Sequence, residues 1–130
     1  MEYLYISSTQ CSDIFPQNTW YDFEVELPKE IILKHKSELS LIFFDVSPSV
    51  QVDVDIFCDI LEENCYQNSL APFLSTISEV PYRSVVPFHV PIRLSSIKKL
   101  RFSIKTAFNH SVPTEAIEQA NLILAVRKVK

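Results

Sequence analysis

Val50-Gln51-Val52-Asp53-Val54-Asp55-Ile56-Phe57-Cys58-Asp59-Ile60 sorts its side chains by alternation. Val50, Val52, Val54, Ile56, Cys58 and Ile60 fall on one side of an extended chain. Gln51, Asp53, Asp55 and Asp59 fall on the other. A helical period would scatter the acids around the axis, whereas a period of two gives a strand with one apolar and one acidic face. This stretch decides the fold class: an all-β protein is expected.

The same period recurs on both sides of it. In Trp20-Tyr21-Asp22-Phe23-Glu24-Val25-Glu26-Leu27, the residues Phe23, Val25 and Leu27 point in and the acids point out, and Pro28 is expected to end the ladder for want of an N–H. Leu100 to Lys105 and Asn121 to Val129 alternate likewise. Leu39 to Val46, with Leu41, Ile42, Phe43 and Phe44 in succession, suits a central strand covered on both faces. With Tyr3 to Ser7, Phe73 to Ser78 and Ser84 to Val90, the reading predicts about eight strands, near 3–7, 20–27, 38–47, 50–61, 72–79, 83–90, 99–106 and 121–129. Turn signals separate them, among them Ser47-Pro48-Ser49 and Val80-Pro81. Short helical pieces are expected at most at 29–36 and 113–120. The pattern is that of an eight-stranded antiparallel sandwich or barrel, with residues 1–130 forming one domain.

Composition narrows the function. Hydrophobic residues make up 47% of the chain and charged residues 22%, which argues against disorder. No apolar run approaches the ~20 residues of a membrane span, and Met1-Glu2-Tyr3-Leu4-Tyr5 lacks the features of a secretory signal, so folding in the cytosol or nucleus is expected. Cys11, Cys58 and Cys65 suit reduced thiols. The chain has no glycine, which excludes a dinucleotide fingerprint, a P-loop and a nucleophile elbow. His35, His89 and His110 stand far apart in sequence, with no metal spacing and no acid placed for a triad. No catalytic residue, metal or cofactor is therefore expected.

Charge is unevenly placed. Residues 1–92 carry 4 basic and 14 acidic side chains, a net of −10, and residues 93–130 carry 8 and 2, a net of +6. Such a chain suits association with its own copies or with a charged partner, unless the two halves interleave in the fold. The acidic face of Asp53, Asp55 and Asp59 is a solvated face or an interface with basic residues. The basic clusters Lys98-Lys99, Arg101, Lys105 and Arg127-Lys128-Lys130 serve solubility, nucleic acid or an acidic neighbouring subunit. Asp53, Asp55, Arg101 and Lys105 are the candidate residues for a self-interface.

The order of short motifs carries a resemblance. Phe15-Pro16-Gln17-Asn18-Thr19, then Asp22-Phe23, then Val25-Glu26-Leu27-Pro28-Lys29-Glu30-Ile31, resembles the opening of small capsid proteins of Polinton/Maverick-like and adintovirus-like elements. Val54 to Glu62 followed by Ala71-Pro72-Phe73-Leu74 resembles their middle. Phe88-His89-Val90-Pro91-Ile92, Ile97-Lys98-Lys99-Leu100 and Val126-Arg127-Lys128 resemble their end. The chain departs from the pattern in lacking the glycines that usually mark two of the loops. The resemblance implies a single jelly roll, penton-like, forming homopentamers at the vertices of a virion beside a double jelly-roll major capsid protein, with assembly in the host nucleus or cytoplasm. A weak nucleic-acid contact through the basic C-terminal region is a further expected partnership. The rival reading is a monomeric sandwich used as a lectin-like binding module or adaptor, or a copy now serving its host.

Overall fold

The computed structural model describes residues 1–67, 69–106 and 116–129, with no helix among them. The chain forms β1 (Glu2–Ser7), β2 (Asp22–Ile32), β3 (Ser37–Ser47), β4 (Val54–Cys58), β5 (Asn64–Tyr66), β6 (Ser69–Ala71), β7 (Phe73–Ile77), β8 (Tyr82–Arg83), β9 (His89–Pro91), β10 (Ser96–Thr106) and β11 (Gln119–Lys128). All pairings are antiparallel. One sheet has the order β1-β11-β3-β8, with β9 also on β3. The second has the order β2-β10-β4-β7, and β5 and β6 make a hairpin of their own. The all-β antiparallel expectation holds, but eleven strands in three sheets replace the eight expected.

The differences have local causes. The stretch 83–90 is two short strands, because Pro87 lacks a ladder donor and the chain leaves β3 between Arg83 and His89. Pro28 does not end β2, and residues 29–32 are strand rather than a helical piece. β2 is a sheet edge, and its pairing jumps from Glu26 opposite Lys99 to Ile31 opposite Ile97, so Pro28 sits in a bulge where no ladder bond is needed. Residues 50–53 precede β4 rather than belong to it. Of the expected helical piece at 113–120, residues 116–118 are irregular, Gln119 and Ala120 open β11, and 113–115 lie outside the described residues.

The two large sheets pack face to face. Leu4, Leu39, Leu41, Phe44, Leu122 and Leu124 from one meet Phe23, Val25, Ile56, Leu100, Phe102 and Ile104 from the other in one core cluster. Across the second sheet, Phe23 stacks on Phe102 with ring centroids 5.2 Å apart.

The edge of β2 is closed by a side chain. Asn18 Nδ2 donates to the Glu24 carbonyl and Asn18 Oδ1 accepts from the Glu24 N–H, each at 2.9 Å, so one amide does the work of a neighbouring strand. Thr19 Oγ1 accepts the N–H of Asp22 at 3.0 Å and holds the approach to the strand. This gives the Phe-Pro-Gln-Asn-Thr motif a structural role. On the opposite edge, Asn64 Nδ2 donates to Phe73 O of β7 at 3.1 Å. On the edge of β1 a side chain caps only the last residue, where Gln10 Oε1 accepts the Ser7 N–H at 2.6 Å.

Candidate interaction surfaces

Asp55 is not on a solvated face. β4 is buried on both sides, and Asp55 is 1% exposed. The β5–β6 hairpin folds back over the outer side of β4, and Tyr66 Oη donates to Asp55 Oδ2. Thr76 of β7 donates to Asp55 Oδ1 at 2.6 Å. Phe57, on the same side of β4, packs with Tyr66 and Phe73 at centroid distances of 5.0 and 5.6 Å. The middle of the acidic face, at Asp55 and Phe57, is thus an inner layer, while Asp53 and Asp59 at its ends are exposed, and Asp55 has no surface to offer a second copy. Lys105 lies over the Phe57 ring at 5.4 Å, closing the same layer.

Arg101 is engaged by its own chain. Its guanidinium donates to both Asp22 oxygens at 3.2 Å and approaches Glu24 at 3.7 Å. The hydrogen bonds that the guanidinium donates to Asp22, and the charge of that carboxylate, hold its pKa above its ordinary value. Lys99 reaches Glu26 at 4.0 Å, Lys98 donates to the Leu27 carbonyl at 2.8 Å, and Arg127 pairs with Glu38 at 2.8 Å. The basic strand β10 therefore lies against the acidic strand β2, and the sequence-level asymmetry is largely neutralised inside the molecule. Interleaving of the halves is what the fold does. Of the four candidates for a self-interface, Asp53 is exposed and makes no side-chain hydrogen bond or ion pair among the described residues. It lies just before β4, away from Arg101, so the four do not form one patch.

Among the described residues, no three His, Cys, Asp or Glu side chains come together to hold a metal. His35 is exposed, His89 is half-buried, and His110 lies outside the described residues. A depression of about 500 Å³ has mixed lining, with Lys34, Lys36 and Arg93 beside Glu38 and Glu62. Lys128 of the basic C-terminal cluster is exposed, and Lys130 lies outside the described residues.

The three thiols are free. Cys11 and Cys58 are buried and Cys65 is exposed. Burial pushes the Cys58 pKa well up, with the Asp59 charge adding to the effect, so it stays protonated and unreactive. Alkylation of the folded protein is expected to modify Cys65 and to spare Cys11 and Cys58 until denaturant is added, as mass spectrometry of the peptides would show. Equal rates at Cys58 and Cys65 in the folded state would contradict this packing.

Sequence reasoning missed a group of exposed apolar side chains on the first sheet. On the outer side of the first sheet, register aligns Tyr5, Ile123, Phe43 and Arg83 in one row across β1, β11, β3 and β8. Tyr3, Ala125, Ser40 and His89 make the next row. Tyr3 and Tyr5 are exposed on β1, and Val85, Val86 and Phe88 are exposed in the connection from β8 to β9. A usable signal was present: Tyr3 and Tyr5 share a parity, opposite to that of Leu4 and Ile6.

No protein-family model matches the chain, and no curated protein and no solved structure matches it.

Proposed function

We propose that the chain is a non-enzymatic, penton-like minor capsid protein, a single jelly roll whose copies close into a homopentamer at an icosahedral vertex beside a double jelly-roll major capsid protein. The observation that carries this reading is the strand order. With β8 and β9 counted as one interrupted strand and the β5–β6 hairpin as an insertion, eight strands remain. They form two four-stranded sheets, β1-β11-β3-β8/β9 and β2-β10-β4-β7, the order of a jelly roll built from two Greek keys. The motif resemblance supplies the vertex role, and the reading gives no residue a catalytic part.

The test is the native mass of the purified protein by light scattering near neutral pH at two salt concentrations. The expected result is five times the 15.0 kDa chain. A monomer that stays a monomer at high protein concentration, and also in the presence of a shell partner, would sink the ring and favour a binding module.

A further inference from the structure

The outer side of the first sheet ends in two different apolar patches at opposite edges. At the β1 edge stand Tyr3 and Tyr5, 53% and 72% exposed. Beyond β3 at the far edge stand Val85, Val86 and Phe88, 95%, 86% and 66% exposed. The half-buried Ile123 and Phe43 bridge the two. On the free edge of β1 only the last residue, Ser7, has its N–H taken by a side chain, that of Gln10; Tyr3 and Tyr5 have no such cap among the described residues. The β1 sequence Glu2-Tyr3-Leu4-Tyr5-Ile6-Ser7 has no proline and no lysine, the residues that usually blunt a free edge.

We infer that copies of this chain join edge to edge, with Tyr3 and Tyr5 of β1 in one copy packed against Val85, Val86 and Phe88 of the next. The inference rests on the ring reading above and names the surface that makes the ring. Two unlike patches at opposite edges suit a heterologous contact, in which every copy uses both and the last meets the first. An isologous pair joined at one edge would leave the patch at the other edge uncovered on each copy.

The areas are of the right order. At roughly 200 Å² per aromatic side chain and roughly 150 Å² per valine, Tyr3 and Tyr5 present about 250 Å² and Val85, Val86 and Phe88 about 400 Å². Together these make about 650 Å² of apolar surface per contact, near the lower end of the roughly 700–1,100 Å² of apolar area in an interface of standard size. The backbone edge of β1 and the polar rim lie outside that sum. Each copy makes two such contacts, and a closed ring gains from holding both at once. A contact of this kind does not weaken with salt, unlike one made by surface charges.

Light scattering of the full chain, of Tyr5→Glu, of Val86→Glu and of an equimolar mixture of the two variants tests this, at low and high salt. Both positions are solvent-exposed in the single copy, so thermal melts should match the unsubstituted protein. Tyr3→Glu replaces Tyr5→Glu if the latter does not fold. The expected masses are the ring for the unsubstituted chain at both salts, a fivefold drop for each variant alone, and twice the monomer for the mixture. The mixture pairs because each variant keeps the edge that the other lacks. A ring retained by both variants overturns the edge contact and leaves the ring standing. Open chains shortened by both variants keep the contact and remove closure. A Val86→Glu protein that still dimerises alone points to β1 pairing with itself and overturns the inference. Monomers throughout overturn the edge contact, and the ring falls with it when the chain also stays monomeric beside a shell partner.

Discussion

Phe102→Ala is expected to lower the unfolding free energy by about 4 kcal/mol, the largest effect of any single truncation considered. Phe102 is fully buried in the middle of β10. It stands opposite Phe23 on one neighbouring strand and Cys58 on the other. Its ring stacks on Phe23 and faces the apolar side chains of the first sheet, so the truncation leaves a void that strands held in register on both sides cannot close. A domain of this size is stable by roughly 5–15 kcal/mol, so the variant would stand close to the folding threshold. Phe102→Leu, which keeps most of the volume, should lose no more than about 1.5 kcal/mol. Urea unfolding followed by fluorescence and by circular dichroism measures both. A loss for Phe102→Ala below about 1 kcal/mol would mean that this aromatic pair does not centre the core.

Asp55→Ala is expected to lose about 3 kcal/mol for a different reason. The carboxyl group accepts two hydroxyl donors, from Tyr66 on the hairpin and Thr76 on β7, in a place closed to water. Removing it takes the acceptor from both hydroxyls at once, and a buried polar group deprived of its partner is expensive. The damage should begin locally, because Asp55 is the polar tie that fastens the hairpin to the sheet. Amide hydrogen exchange at Asn64, Cys65 and Leu70 should therefore accelerate before that of β10 or β11. Asp55→Asn keeps the shape and one acceptor oxygen, and should lose about half as much. Exchange rates in the hairpin that do not respond to Asp55→Ala would show that the aromatic contacts of Phe57 and Phe73 hold it alone.

These two residues also mark where the sequence could and could not be read. Phe102 was legible: it alternates with Leu100 and Ile104, and all three are core. So was the course of β10 and β11, because long strands with one covered face leave a period of two; β1 and β3 were legible only as apolar runs, and β3, expected to be covered on both faces, leaves Ile42 and Phe43 half-buried. Asp55 was not. Alternation assigns a side chain to a face, but it does not say whether a later segment folds back over that face. One residue carried the warning: Phe57 shares its parity with Asp53, Asp55 and Asp59, and an aromatic ring among acids needs a cover. That cover comes from Tyr66 and Phe73. β5, β6, β8 and β9 are two or three residues long, too short for any period to show; β8 and β9 are templated by the long β3, and β5 and β6 pair only with each other.

The self-interface residues fared as they did for a related reason. Charge was counted along the chain, but antiparallel pairing sets Arg101 beside Asp22 and Lys99 beside Glu26, partners more than seventy residues away. The opposite signs that suggested contact between molecules are matched within one. The apolar rows of the first sheet escaped notice because their members come from four strands, and only the register brings them together.

The Asn18 cap on β2 has a consequence that unfolds with time. Water slowly converts asparagine side chains to aspartate, and the product has only acceptor oxygens at neutral pH. Opposite the Glu24 carbonyl it would offer a lone pair where the amide had offered a hydrogen, and the two would repel. One hydrolysed bond, with no change elsewhere in the chain, would leave β2 bare to other strands. The shelf life of a purified sample is then set in part by a single amide. Aggregate should accumulate in step with aspartate at position 18, and an aged preparation in which the two do not rise together would show that the edge is guarded by something else.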